Sequence, residues 1–216
     1  MRSSLNGKAV IRTARSADIR QIAELHQQAF TGFFLTQLGI SFLSRYYSIV
    51  HEYNKGILLI AETHEGQIIG FVAGFLDPNR FYSLMKARRL ELALAILPSL
   101  LRRPSILFRI LSNYHDVSSS GKGEMLSQCR WCELSSVAID PEHSGKGIGK
   151  DLVNALIVEA EKLGATLVYL HTDAIRNNRT NDFYQKIGFI LHAESTKYKG
   201  RRMNEYRMVL PKPCKN

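Results

Sequence analysis

Two hydrophobic periods alternate along this chain, and each predicts a different element. Ala9 to Thr13 reads as an opening strand, and Ser16-Ala-Asp-Ile places an N-cap serine ahead of Ile19, Ile22, Ala23, Leu25 and His26, spaced as one helix face. Gly32 to Val50 continues at mostly helical spacing with Phe33, Phe34, Leu35, Leu38, Ile40, Phe42, Leu43 and Tyr46, a largely core set of which some could line a pocket. Ile57 to Ala61 and Gln67 to Leu76 are apolar, β-branched runs parted by Glu65-Gly66, the pattern of a hairpin, which Asp77-Pro78-Asn79 ends. From Phe81 to Leu111 the spacing is helical again, with Pro98 and Pro104 expected to break it, and Ser118 to Gly123 reads as a loop.

The second half is more regular. Trp131 to Ile139 predicts a strand stopped by Asp140-Pro141, and Gly147 to Leu163 a helix with Ile148, Leu152, Ala155, Leu156, Ala160 and Leu163 on one stripe, ended by Gly164. Thr166 to Thr172 is a further strand, Thr180 to Ile187 a short helix closed by Gly188, and Phe189 to Ala193 and Tyr206 to Leu210 two last strands. No repeat interrupts this order, so residues 1–216 are expected to form one α/β domain with a helical insertion at about 80–115.

Composition narrows the setting. With 216 residues, 45% hydrophobic and 22% charged, the chain can bury one good-sized core. Its first ten residues lack the apolar block of a secretory signal, and Leu92 to Leu101, charge-free but interrupted by Pro98, falls far short of the roughly 20 residues a bilayer demands. A cytoplasmic protein is expected. Three cysteines suit a reducing compartment; Cys129 and Cys132 form a C-x-x-C without a second ligand pair, so packing is expected and a metal is not.

The formal net charge of +10 invites anionic partners. Much of it is local: Arg80 to Arg109 holds seven Lys or Arg against one acid, Glu91. This stretch has two readings. Leu90, Leu94, Leu97, Leu100 and Leu101 could pack on the domain or on a second subunit of a homodimer. Alternatively, the apolar residues mixed with Arg88, Arg89, Arg102 and Arg103 could rest peripherally against anionic lipid. The chain has no helix-turn-helix, zinc-finger or aromatic-basic RNA motif, so nucleic acid is not an expected partner.

His143-Ser-Gly-Lys-Gly-Ile-Gly-Lys150 lies where a strand gives way to a helix, so its glycines let backbone N–H groups converge on the positive helix end, a place for an anion. The spacing fails both the dinucleotide fingerprint, since Lys150 occupies the third glycine position, and the P-loop. It resembles instead the acetyl-CoA signature of the GNAT superfamily, Gln/Arg-x-x-Gly-x-Gly/Ala, here Ser144-Gly-Lys-Gly-Ile-Gly149, with Ser144 standing where Gln or Arg is usual. Asn177 to Phe189 is similarly like that family's Asn…Phe-Tyr-x-Lys-x-Gly-Phe segment.

The resemblance covers most of the chain outside Asp77 to Cys129, and its overall look is that of members serving bacterial polysaccharide and amino-sugar pathways. It implies an acyl-CoA N-acyltransferase fold: a central mixed, mostly antiparallel sheet flanked by helices, here with the insertion before the fourth strand. It also implies an N-acetyltransferase that moves acetyl from acetyl-CoA to a primary amine of a small acceptor, such as an amino sugar or sugar nucleotide. The backbone of Ser144, Gly145, Lys146, Gly147, Ile148, Gly149 and Lys150 would cradle the coenzyme's pyrophosphate. Val137, Ala138 and Ile139 would pair with the pantetheine arm, Asn177 would contact the cofactor, and Tyr184 would approach its sulfur. The alternative of another class is a non-catalytic CoA-sensing or basic nucleic-acid-binding module on the same scaffold.

Acetyl transfer needs a neutral amine and a proton for the departing thiolate. Tyr184 is the candidate acid. Glu133 is the candidate base, four residues before Val137 and therefore on its face of a regular strand. His115 and Asp116 are rivals for the base, and His171 with Asp173 reads as structural or substrate-facing, not as a metal ligand.

Overall fold

The computed structural model describes residues 3–5, 9–102, 130–196 and 200–211. Eight strands form one sheet, β1 (Ser3–Leu5), β2 (Ala9–Thr13), β3 (Gly56–Glu62), β4 (Ile68–Leu76), β5 (Trp131–Ile139), β6 (Leu167–Asp173), β7 (Ile190–Thr196) and β8 (Arg202–Val209), in the order β1-β2-β3-β4-β5-β6-β8-β7. All neighbours are antiparallel except β5 and β6. The sheet is therefore mixed and mostly antiparallel, as expected. The short strand β1 has no counterpart among the strands the sequence predicts, and because of it the insertion precedes the fifth strand rather than the fourth.

Helices cover both faces. On one lies α6 (Ile148–Lys162), whose Leu152, Val153, Leu156 and Ala160 are fully buried against Ile69, Val72, Leu76 and Cys132. On the other lie α1 (Ile19–Ala29) and α3 (Ile40–Glu52), with Ile22, Leu43, Tyr47 and Ile49 packed on Ile60, Phe71 and Phe75. A one-turn helix, α2 (Phe34–Gln37), precedes α3, and Gly39 at φ 92° separates them, so the single helix expected from Gly32 to Val50 is broken there. Ser16 is not an N-cap: it opens a 3-10 turn, and Asp18 closes that turn by accepting the Arg15 N–H at 2.7 Å. The short helix α7 (Asn178–Ile187) ends at Gly188, φ 115°, as its sequence predicts.

The insertion begins with α4 (Pro78–Ala87), with proline at its first position and Asp77 before it, whose carboxylate pairs with Lys55 and not with the helix N–H groups, and α5 (Arg89–Arg102) follows directly. Pro98 lies inside α5 and does not break it. The carbonyl that loses its partner belongs to Leu94, whose side chain is 65% exposed, so water can take over that bond. Leu90, Leu97 and Leu101 are also exposed, while Leu92 is buried. Pro104, His115, Asp116 and Cys129 lie outside the described residues. Among the described residues no helix is long and apolar enough to cross a membrane, and no cluster of metal-ligating side chains occurs.

Two irregularities of β5 open the sheet. Its register against β4 slips between Ala73, opposite Ser136, and Gly74, opposite Leu134, leaving Ser135 as an extra residue in a bulge. Its pairing with β6 covers only Trp131 to Glu133 against Leu167 to Tyr169, after which the two strands diverge. The strand is thus split from its parallel neighbour over its second half.

Candidate active site

A cleft of about 890 Å³ occupies the split. One wall is the second half of β5, another the loop into α6 and the start of α7, and a third the end of α1 with α2. Asp140 donates its N–H to the Ile69 carbonyl on the β4 side at 2.9 Å. Alternation along the strand therefore turns the amides of Val137 and Ile139 the other way, toward the opening, and that of Ala138 toward β4. All three residues line the cleft, but only two present backbone donors to it.

The bulge also re-aims side chains. Cys132 and Leu134 belong to the core under α6, yet past Ser135 it is Val137 and Ile139 that pack against that core, while Ala138 joins the opposite one. Glu133 and Val137 therefore occupy opposite faces, correcting the expectation from a regular strand. Ser135 is held between α3 and β4: Tyr46 donates its hydroxyl hydrogen to Ser135 Oγ at 3.3 Å, and Ser135 donates to the Ala73 carbonyl at 3.2 Å.

Of the loop residues, Ser144, Gly145, Gly147, Ile148, Gly149 and Lys150 line the cleft; Lys146 does not, its ammonium lying 3.5 Å from the Glu142 carbonyl. Gly145 and Gly147 adopt φ 80° and 83°, which a side chain would strain, and a Cβ at Gly145 would meet nothing within 4 Å. Backbone geometry, not crowding, calls for glycine there. Gly147 is the N-cap of α6, and its carbonyl accepts the Asp151 N–H at 3.1 Å, so the amides of Ile148, Gly149 and Lys150 have no acceptor within the helix. These are the donors an anion would use.

Sequence reasoning missed Arg179, which reaches from the first turn of α7 to donate to Ser144 Oγ at 3.2 Å. The cation absent from position 144 is supplied from another helix. Its only sequence signal is proximity to Asn177. Asn177 itself lines the cleft, donating through Nδ2 to Thr172 Oγ1 at 2.8 Å and to the Asp173 carbonyl at 3.2 Å. Asn181, buried one turn on, ties the same carbonyl (3.0 Å) to Asn177 O (2.8 Å) and accepts from Asn204 at 2.9 Å, fixing α7 against β6 and β8.

Tyr184 is buried in the cleft wall among Phe183, Phe189 and Tyr206, with its pKa raised by burial, so it is a protonated phenol at neutral pH. Glu133 lies outside the cleft lining. Its carboxylate accepts hydrogen bonds from Tyr82 of α4 (2.8 Å) and Tyr169 of β6 (2.7 Å), and burial raises its pKa against the pull of those donors and of His171. His171 lines the cleft with its Nε2 3.4 Å from Glu205 Oε2, and Asp173 holds Arg201 through two hydrogen bonds, 2.6 and 2.9 Å, while Arg201 covers the Phe33 ring at 5.3 Å.

The helical stripe of α1 also delivers His26 to the cleft wall. Its ring lies against Phe30 (4.6 Å), Tyr47 (5.7 Å) and Phe71 (6.4 Å), and burial lowers its pKa to about 4. An unfolded histidine binds its proton near pH 6.5, so between pH 6.5 and 4 the unfolded state holds the extra proton and stability must fall with falling pH. The loss attributable to this ring is about 3 kcal/mol. Thermal midpoints measured from pH 7 to 5, where unfolded carboxylates remain mostly ionised, should show a slope in the native protein that is flattened in His26→Asn.

Comparison with known proteins matches part of the chain to a family model and nearly the whole of it to a fold. Residues 116–189 match the model of the acetyltransferase (GNAT) family. An uncharacterised N-acetyltransferase of Methanocaldococcus jannaschii is 29% identical over 83 residues, 34% of this chain and 36% of the relative, so the match spans about a third of that protein's length. Among solved structures, Ard1 from Thermoplasma volcanium superposes with a TM-score of 0.59 at 13% identity, covering 95% of this chain and 99% of that one. YncA from Salmonella typhimurium, a putative acetyltransferase solved with acetyl-CoA, gives 0.60 at 15% identity, covering 96% and 97%. This chain has the GNAT fold. A chimera of the Vibrio cholerae spermidine N-acetyltransferase SpeG and hSSAT shares that fold at a TM-score of 0.58 and 16% identity, covering 94% and 95%. In the GNAT fold of this chain, the cleft lies between β5 and β6, beside the start of α6.

Proposed function

We propose that this chain is an acetyl-CoA-dependent N-acetyltransferase acting on a primary amine of a small acceptor. The observation that carries the reading is the juxtaposition of two unpaired donor sets in one cleft: the outward amides of Val137 and Ile139, and the orphan amides of Ile148, Gly149 and Lys150. The first suits an extended amide-bearing arm laid along a strand edge, the second a diphosphate. Arg179 adds positive charge beside the diphosphate amides, and Asn177 stands at the same end. When bound, acetyl-CoA supplies the activated acetyl thioester. Tyr184 holds the proton for the departing sulfur, and Glu133, its affinity for a proton raised by burial, is the candidate to receive the amine's proton through water.

Within this reading we favour an acceptor bearing an anionic group, such as an amino sugar phosphate or a sugar nucleotide. Support comes from the basic bias of the insertion: Arg80, Lys86, Arg89 and Arg102 lie on α4 and α5, although Arg88 is paired with Glu52 and Arg45 of α3 with Glu91. A thiol-release screen with acetyl-CoA over glucosamine 1-phosphate, amino-sugar nucleotides, spermidine, amino acids and peptide N-termini should find turnover, with amino sugars ahead. Calorimetry should find acetyl-CoA binding in the range of roughly 1–1000 µM. Gly147→Val should weaken it at least about tenfold, because a branched side chain cannot hold φ 83° without strain. Folded protein that gives no heat with acetyl-CoA would overturn the proposal.

A further inference from the structure

The α1–α3 side of the cleft contains a polar chain that the binding of acetyl-CoA does not use. His26 Nδ1 and the Tyr47 hydroxyl share a hydrogen bond of 2.6 Å, and Tyr47 is in turn bonded to Ser136, next to the bulge of β5. His26 is only 3% exposed, its ring forms part of the cleft wall, and its Nε2 is buried without a hydrogen-bond partner. Buried ring nitrogens are rarely left so, because each costs the desolvation of a polar atom. The site is also over-determined. Phe30 and Phe71 lie against the ring and Tyr47 fixes its rotation, so the chain holds an imidazole at a cost it could avoid with leucine.

We infer that His26 Nε2 is the docking point for the acceptor's amino group, accepting a hydrogen bond from one of its N–H atoms while Nδ1–H is donated to the Tyr47 oxygen. The inference rests on the proposed acetyl transfer and adds the group that orients its nucleophile. With one N–H held on the ring nitrogen, the amine's lone pair is left free for the thioester. Aromatic surroundings keep the imidazole neutral, so it remains an acceptor and adds no positive charge to repel an incoming amine. The cleft wall beside His26 is built from the end of α1, the turn after it and the single turn of α2, and that wall must shift for the amine to reach Nε2.

Two variants test this. His26→Asn places an amide nitrogen where Nδ1 stood and keeps the Tyr47 bond while removing Nε2; His26→Gln extends an acceptor oxygen toward the Nε2 position. Both are measured with acetyl-CoA and the amine that turns over fastest in the thiol-release screen, alongside thermal midpoints and acetyl-CoA calorimetry. The expected result for His26→Asn is a kcat/KM for the amine at least about tenfold lower, with acetyl-CoA affinity within about twofold of the native protein, and partial recovery in His26→Gln. A folded His26→Asn protein whose kcat/KM for the amine stays within about twofold of native overturns the inference and leaves the acetyltransferase reading standing. Loss of acetyl-CoA affinity in His26→Asn also overturns it, since the residue would then support the cofactor side. If the native protein neither binds acetyl-CoA nor releases thiol, the functional reading itself fails and the docking role falls with it.

Discussion

Gly74→Ala is expected to lower stability by about 2 kcal/mol and to weaken acetyl-CoA binding in the same stroke. A Cβ at this position would lie 2.6 Å from the Glu133 carbonyl oxygen and 2.9 Å from Leu156 Cδ1, both closer than real Cβ contacts allow. Leu156 is fully buried under α6 and has little room to turn, and the Glu133 carbonyl is backbone, so β5 itself must move. Gly74 pairs with Leu134 at the point where the register slips, one residue from the bulge that turns Val137 and Ile139 toward the α6 core. For a chain of this size the loss corresponds to a drop in thermal midpoint of roughly 4–8 °C. Calorimetry on the folded variant should show weaker acetyl-CoA binding than native, because the donors of Val137 and Ile139 are displaced with the strand. A variant with native midpoint and native affinity would show that the bulge tolerates the methyl group and that the cleft does not depend on it.

The elements legible in the sequence are those whose ends are written locally. Trp131 to Ile139 is legible to its bounds, since Asp140-Pro141 stops it, and the ends of α6 and α7 follow from Gly164 and Gly188, both at positive φ. The loop ahead of α6 has a legible backbone for the same reason, as Gly145 and Gly147 take up its positive φ angles. What the sequence hides depends on partners distant along the chain. Nothing in Leu134-Ser-Ser-Val137 announces a bulge; it arises where Gly74 of β4 lets α6 approach, and it moves Glu133 to the face opposite Val137. Pro98 reads as a breaker, but a helix tolerates it where the freed carbonyl can turn to water. His26 looks like one more member of an apolar stripe because its spacing fits, and only the fold brings Tyr47, 21 residues on, to its ring. Arg179 escapes a reading of the sequence because a cation in the first turn of a short polar helix reads as solvated, whereas the fold sets it across from Ser144.

Tyr184→Phe should lower kcat about 100-fold while acetyl-CoA affinity stays within about twofold of native. The substitution removes one oxygen from a ring that packs against Phe183, Phe189 and Tyr206, and burial is the sole cause that raises the phenol's pKa, so no specific ion pair is lost with the hydroxyl. Packing and fold are therefore preserved. What disappears is, among the described residues, the only phenol in the wall of the cleft. In water a phenol at about 10 gives its proton to a thiolate at about 8.5 slightly uphill. Burial moves the phenol further up, but it raises the proton affinity of a thiolate released into the same apolar wall as well, so the transfer stays accessible inside the cleft. Without the hydroxyl the thiolate must leave unprotonated or wait for water, and a hundredfold loss is about 2.7 kcal/mol of barrier. Single-turnover thiol release, measured beside calorimetry, separates the chemical step from binding. A kcat within about threefold of native would remove Tyr184 from the proton path, and a rise in the acetyl-CoA Kd that matched the loss of kcat/KM would make it a binding residue instead.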